Sequence, residues 1–335
     1  MNRERFAVMP ETSGAAVSVD CRRCGETVRL LLHYDAKTSP AVHMGNDSRR
    51  RVQAKATVPN ALPLPAGPLA VGGSCPGATA ACKDCYAAGL ESWSPGFRRA
   101  AAANLDGLRH LYGCGGGRAV VRALVAIVEH SAMVQRAAGV RRPSFRWHSD
   151  GDLFASWYAV AVRKAAASTP DVDQWIYTRS LSLVRYLMPR PRNLAVYVSA
   201  DSENVRDAAR VASRYGLPVA MLAGDEIEAA ALWARAHAAA PVPPAVLCPA
   251  SGAGKYGRDG LPFPAHVVGP DGKRGSLRAG GAAVGACIAC GVCLPGAGVR
   301  RSVTFTVHGG QASGDSPGRL GAAVRVRVRA AGGGS

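Results

Sequence analysis

Ten cysteines carry the most chemical information in this chain, and nine of them fall into groups. Cys75-x6-Cys82-x2-Cys85 places three thiols within eleven residues, just ahead of a helical stretch. Three thiolates leave one metal coordination position open for a substrate or cofactor, as a catalytic site requires. Pro76, Gly77 and the small residues from Ala78 to Ala81 let a loop wrap a cluster, and Lys83 offsets thiolate charge. A structural zinc wants a fourth ligand close by, and none lies between Cys75 and Cys85, so ligand count favours iron–sulfur over zinc. Cys287-x2-Cys290-x2-Cys293 with Cys248 makes four ligands, the complement of a closed iron–sulfur cluster. Three ligands in seven residues crowd a single tetrahedral ion but suit the separate irons of a cluster; His308 is a candidate substitute for one thiolate. Cys21-x2-Cys24 is half a zinc site, with His33 or His43 as completions, and reads equally as free thiols or a redox couple. Cys114, in the glycine-rich turn from Gly113 to Gly117, stands alone.

The elements that must position these groups follow an alternating pattern. Short apolar or β-branched runs at Ser144–His148, Gln174–Thr178, Leu194–Ser199, Pro218–Leu222 and Ala245–Leu247 read as strands. Between them, Ala155–Ser168, Leu181–Met188, Ser202–Tyr215 and Asp225–Ala239 read as helices, preceded by helical stretches at Gly96–Tyr112 and Arg118–Ala138. Strands separated by helices of this length mean βαβ units and a parallel sheet, closed or partly closed: an α/β fold, expected as a partial (β/α) barrel. Polar residues cluster just after each strand, where a parallel barrel builds its sites: His148, Ser149, Asp150 and Asp152; Thr178 and Arg179; Ser199 and Asp201; Gly224 and Asp225; Cys248. Asp225 and Ser202 also read as helix N-caps, whereas His148, Asp152 and Asp201 read as site residues.

Three regions result. Residues 1–40 form an N-terminal Cys-x2-Cys extension with a strand at Val28–Leu32. Residues 41–250 hold the barrel and the first cysteine cluster, approached through a Pro-, Gly- and Arg-rich stretch containing Arg49, Arg50 and Arg51. Residues 251–335 form a cluster-binding cap with strands at Val303–Val307 and Val324–Val328, ending in a linker-like tail from Ala330.

Lys and Arg number 41 against 23 Asp and Glu, and the excess of +18 favours a nucleic acid or other polyanion as partner. CxxC spacing in a chain of 335 residues points to metal rather than to a disulfide scaffold. The longest apolar stretches are broken by Arg122, Glu129, Arg235 or His237, short of the ~20 apolar residues of a membrane span. With no signal-like segment after Met1, the expectation is a cytoplasmic chain that engages no membrane.

The order of five motifs carries a resemblance. Gly73-Ser74-Cys75-Pro76-Gly77 with Cys82, Cys85, Tyr86 and Ala87 resembles the first motif of phage-encoded radical S-adenosylmethionine (SAM) proteins distantly related to spore photoproduct lyase. Ser149 to Phe154, Tyr177 to Ser180, and Asn193 to Asn204 resemble their later segments in order. An actinobacterial and phage family with a terminal Cys-x2-Cys-Gly-x-Cys, Val-x-Phe and His-Gly is closer still; these are Cys287 to Cys293, Val303 to Phe305 and His308-Gly309 here. Members of that family often carry the label of rolling-circle replication initiators, yet no paired-His metal motif with a nearby Tyr, as nicking needs, is present. The spacing departs from the usual Cys-x3-Cys-x2-Cys, and Tyr86 follows the last cysteine rather than preceding it.

The resemblance implies a radical SAM-like enzyme that generates a 5′-deoxyadenosyl radical and acts on nucleic acid or a nucleotide. It implies a [4Fe–4S] cluster on Cys75, Cys82 and Cys85, with SAM met by the backbone of Ser149, Asp150, Gly151 and Asp152. Thr178, Arg179, Ser199 and Asp201 line the cofactor or substrate side, with catalysis expected from His148, Asp152, Arg179 and Asp201. A second [4Fe–4S] cluster on Cys248, Cys287, Cys290 and Cys293 relays electrons from an external donor or anchors substrate. The competing reading is a non-enzymatic, zinc-stapled nucleic-acid-binding protein whose pairs Arg98-Arg99, Arg141-Arg142 and Arg300-Arg301 contact phosphates. A third keeps the barrel and the clusters but serves electron transfer or another small substrate.

Overall fold

The computed structural model describes residues 10–11, 14–33, 39, 41–43, 55–80, 82, 85–248, 266–268, 274–276, 278–279, 282–283, 287, 291–295 and 301–306. Arg49 to Arg51, Cys290, Arg300, His308 and the expected strand at Val324–Val328 lie outside the described residues. An antiparallel sheet opens the chain, built from β1 (Pro10–Glu11), β2 (Gly14–Asp20) and β3 (Thr27–Leu31), followed by the hairpin β4 (Ala41–His43) and β5 (Lys55–Thr57). The α/β part then runs β6 (Ala61–Leu62), α1 (Tyr86–Trp93), α2 (Pro95–Ala137), β7 (Ser144–Trp147), α3 (Ser156–Ser168) and β8 (Asp173–Thr178). It continues through β9 (Leu194–Ala200), α4 (Val205–Tyr215), β10 (Val219–Ala223), α5 (Glu226–Ala239) and β11 (Ala245–Leu247). Two small hairpins, β12 (His266–Val268) with β13 (Arg274–Ser276) and β14 (Arg278–Ala279) with β15 (Ala282–Ala283), precede β16 (Ser302–Thr306).

Seven strands form one sheet in the order β11-β16-β10-β9-β8-β7-β6, and every pairing in it is parallel. The protein is therefore a mixed α/β fold around a parallel sheet. From β6 to β10 the strands lie side by side in chain order; β16 then enters between β10 and β11, so the sheet draws on both sides of residue 250. The two-residue β6 falls in the proline-rich approach, which the sequence reading treats as loop; its outer edge is covered by a bridge from His33 to Ala61.

Alternation along each strand divides two environments. Phe145, Trp147, Ile176, Val196, Val198 and Met221 bury one face under alanine-rich α2 to α5. On the other face Tyr197, Ala220 and Val303 gather with Tyr177, Ala195 and Phe305, and Cys248 and Cys293 pack there too. The expected helix at Leu181–Met188 is a 3-10 helix at Leu181–Leu187.

The two helical stretches expected around Gly113–Gly117 are the two halves of α2, which meet at non-helical backbone at Gly116 (φ 65°, ψ −170°). Clustered glycines weaken a helix interior enough to admit such a break. Length and composition alone would let α2 cross a membrane, a test that a buried core helix also meets. Its residues from Phe97 to Gln135 instead pack into the core against α3, β2 and β3. Gly107 is what lets the hairpin approach, since a Cβ there would sit 2.6 Å from Val28 Cγ1. The fully buried Asn104 ties the layers together: its Oδ1 accepts from the Leu31 N–H at 2.7 Å, and its amide donates to the carbonyls of Leu31 and Pro63.

Candidate metal centres

The C-terminal ends of β6, β7, β8 and β9 bring the first cysteine loop together with the polar residues that follow the strands. Ser74 anchors the loop: its hydroxyl donates to the Pro65 carbonyl at 2.8 Å and accepts from the Asp152 N–H at 3.1 Å. Cys75 follows with its N–H on the Gly67 carbonyl, and Cys85 ends the loop as the residue that opens α1. Burial, with the carboxylate of Asp152 nearby, pushes the Cys75 thiol up to about 12; Cys82 and Cys85 add to the shift. Cys75, Cys82 and Cys85 thus gather beside the buried carboxyl of Asp152 at one junction.

Arg179 fastens this loop to the sheet. Its Nε donates to the Gly77 carbonyl at 3.0 Å, one terminal nitrogen donates to Thr79 Oγ1, and the other pairs with Asp201. That pair holds the Asp201 carboxyl below its ordinary range against the opposing effect of burial, and raises Arg179 in turn. Asp201 Oδ1 also accepts from the Glu203 N–H in the turn ahead of α4, whose N-cap is Asn204 rather than the expected Ser202. Asp225 does cap α5, accepting from the Glu228 N–H.

Asp152 is fully enclosed and braces two strand ends. Oδ1 accepts from Leu153 N–H and Oδ2 from Arg179 N–H at 2.8 Å; burial still raises its pKa despite these bonds and those from Thr178 and Ser180. Gly151 takes φ +78°, and a Cβ there would lie 2.3 Å from Ser74 Oγ. Ser149, Asp150 and Thr178 are buried at the same end, while Ser199 is half-buried with its carbonyl accepting from Asn204.

The tightness of this junction gives one expected outcome. A Cβ at Gly77 would sit 2.2 Å from the Arg179 carbonyl oxygen, a backbone atom that cannot move aside alone. Gly77→Ala should lower the urea midpoint by an amount equivalent to about 1–3 kcal/mol. Gly96→Ala, whose Cβ meets nothing within 4 Å, should leave it unchanged or raise it.

His148, expected as a catalytic residue, turns instead toward α3. It adopts φ +64°, its Nε2 lies 2.9 Å from the Tyr158 hydroxyl, and burial with the Arg146 charge lowers its pKa to about 3. The neutral ring is thus favoured in the folded chain, and the unfolded chain takes up the proton first as pH falls. Stability is full above about 6.5 and is lost on acidification toward about 3. By pH 4 the loss from this group is about 3 kcal/mol. His148→Asn, a residue that tolerates left-handed backbone, should flatten the stability–pH slope between pH 6 and 4 in urea titrations.

The second cysteine group lies over the aromatic face of the sheet. Cys293 and Cys287 sit close enough to Tyr177 to raise its hydroxyl pKa further after burial, the largest cause. Tyr197 donates its hydroxyl to the Val292 carbonyl at 3.0 Å, and Cys248 N–H donates to the Thr304 carbonyl. Cys248 and Cys293 thereby pack on this face of the sheet, with Cys287 near Tyr177.

The third centre is where the structure corrects the sequence reading most. Cys21, Cys24, His110 and Cys114 bring their ligand atoms within 4.8 Å of one another, a set able to bind a metal such as zinc. His33 instead packs edge-on against Phe97, and Cys114 is not isolated. The Cys-x2-Cys turn closes with Gly25 at φ +75°, its N–H on the Cys21 carbonyl. The N–H groups of Cys24 and Arg23 bring the Cys21 thiol down to about 6, whereas Cys21 and Cys24 push Cys114 up to about 12. Cys24 Sγ and His110 Nε2 are 3.4 Å apart. Gly291 repeats the turn, with φ +69° and its N–H on the Cys287 carbonyl.

The chain matches the Gene product 88 family over residues 31–296. It is 32% identical over 196 residues to the Gene 88 protein of Mycobacterium phage L5, which covers 57% of this chain and 76% of that protein. No solved structure matches. The phage side of the expected resemblance thus holds, and with four-fifths of its length inside the match, the chain belongs to the Gene product 88 family.

Proposed function

We propose that this chain is a radical SAM-like iron–sulfur enzyme with a partial barrel, acting in the cytoplasm on nucleic acid or a nucleotide-like substrate. The observation that carries the reading is the convergence of Cys75, Cys82 and Cys85 with Asp152, Arg179 and Asp201 at one end of a parallel sheet. These residues come from successive strand ends in the order of the resembling motifs. Cys75, Cys82 and Cys85 would hold a [4Fe–4S] cluster with one position open, and the cluster with SAM supplies radical chemistry by reductive cleavage. Gly151, which admits no side chain, keeps the Ser149–Asp152 backbone close to the loop, where it would meet the amino group of SAM. Arg179 and Asp201 hold the loop to the sheet, so they act as positioning residues. Cys248, Cys287, Cys290 and Cys293 would hold the second cluster and pass electrons from an external donor.

The test is SAM cleavage by anaerobically reconstituted protein with a chemical reductant, read as 5′-deoxyadenosine. The expected result is product formation that Cys82→Ala abolishes; no product from protein carrying its full iron and sulfide would overturn the SAM reading. A second reading, a zinc-stapled nucleic-acid-binding protein without enzymatic activity, is favoured by the convergence of Cys21, Cys24, His110 and Cys114. It requires zinc at every cysteine group and no iron.

A further inference from the structure

We propose that the break in α2 forms a phosphate-binding pocket for a nucleic-acid backbone, held open by the metal centre on Cys21, Cys24, His110 and Cys114. A cavity of about 630 Å³ lies against that centre, and its lining includes Arg22, Arg23, Arg118, Arg122, Tyr112 and Cys114 itself. Among the described residues, no acidic side chain lines it. Four arginines around one concavity gather positive charge there, and a phosphate accepts bidentate bonds from guanidinium forks.

Two elements bring the arginines together, and a metal on Cys21, Cys24, His110 and Cys114 would tie the first of them to α2 just ahead of its break at Gly116. Arg22 and Arg23 are the two residues between the cysteines of the Cys-x2-Cys turn, so whatever fixes Cys21 and Cys24 fixes them. Arg23 also donates to the Cys114 carbonyl at 3.3 Å, where the first half of α2 ends. Arg118 and Arg122, four residues apart and exposed, rise from the second half of the helix just past Gly116. The positive end of that half-helix lies in the same lining and favours an anion there. A net charge of +18 spread over the chain argues for a polyanion rather than a small phosphate. The pocket stands apart from the Cys75 loop and does not depend on the iron–sulfur reading.

The experiment is fluorescence anisotropy of a labelled 20-base-pair DNA duplex against zinc-loaded full-length protein at several salt concentrations. Arg118→Ala with Arg122→Ala is compared with Arg206→Ala with Arg210→Ala on α4, whose side chains are also exposed. The pocket pair should weaken binding at least tenfold at ~0.1 M salt and reduce the salt slope by about two. The α4 pair should change affinity less than twofold, and Arg118→Lys with Arg122→Lys should recover part of the loss. Stripping the metal with a chelator should weaken binding as strongly as the pocket pair does. Equal effects of the two alanine pairs would overturn the proposal in favour of diffuse charge. Full competition by millimolar inorganic phosphate would overturn it in favour of a small-anion site.

Discussion

Cys114→Ser should cost the chain its metal at the N-terminal centre, with zinc falling from about one to below about 0.1 per molecule. The same substitution should destabilise the fold by about 4–5 kcal/mol, the range reached by loss of a structural metal. The size follows from what the centre joins. The sheet of β1, β2 and β3 is small, and a hairpin of this size is marginal by itself. It contributes Val17, Val19, Val28 and Leu30 to the core, and these stay buried only while the hairpin remains seated on α2. The metal would fasten its tip to the first half of α2, just ahead of the Gly116 break, through His110 and Cys114 on adjacent turns. Limited trypsin digestion gives an independent check, because Arg22 and Arg23 lie inside the knuckle. Cleavage there should be slow in the loaded protein and fast in Cys114→Ser or after chelation. Equal cleavage rates and unchanged zinc would show that the four residues hold no ion.

Arg179→Met should cost about 3–5 kcal/mol in urea unfolding, the loss expected when one partner of a buried pair is removed. Arg179 and Asp201 are 14% and 7% exposed at their side chains, so the orphaned carboxylate would not be rescued by water. The guanidinium also carries the bonds to Gly77 and Thr79, so the cysteine loop loses its tether to β8 at the same time. The double variant Arg179→Met with Asp201→Asn should lose less stability than the single change, since it removes the buried charge along with its partner. Loop release should persist in the double variant and appear as reduced iron uptake. A single-variant cost below about 1 kcal/mol would mean that the pair is solvated in solution.

The parts of this architecture readable from sequence are those governed by local pattern. β7, β8 and β9 announce themselves by β-branched and aromatic runs followed by Ser, Asp or Thr, and α3 to α5 by alanine-rich periodicity. Grouped cysteines were legible because ligands of one centre are often close in the chain. The N-terminal centre was not, because Cys21 and Cys114 meet only through tertiary packing of the hairpin on α2. The available signal was His110 and Cys114 at i and i+4 on one helix; reading Gly113–Gly117 as a turn separated them. Strand order is equally non-local: nothing in Ser302–Thr306 distinguishes a cap strand from one inserted between β10 and β11. His148 illustrates a different limit, because a polar residue after a strand can face the site or the helix layer. Only packing decided that it meets Tyr158.

The most direct test of the central claim is metal and sulfide analysis of anaerobically purified protein, wild type beside Cys82→Ala and Cys290→Ala. The expected result is about eight irons with matching sulfide and about one zinc per chain, each variant losing about half the iron while keeping the zinc. Zinc alone, with neither iron nor sulfide, would contradict the iron–sulfur reading and leave a zinc-held protein.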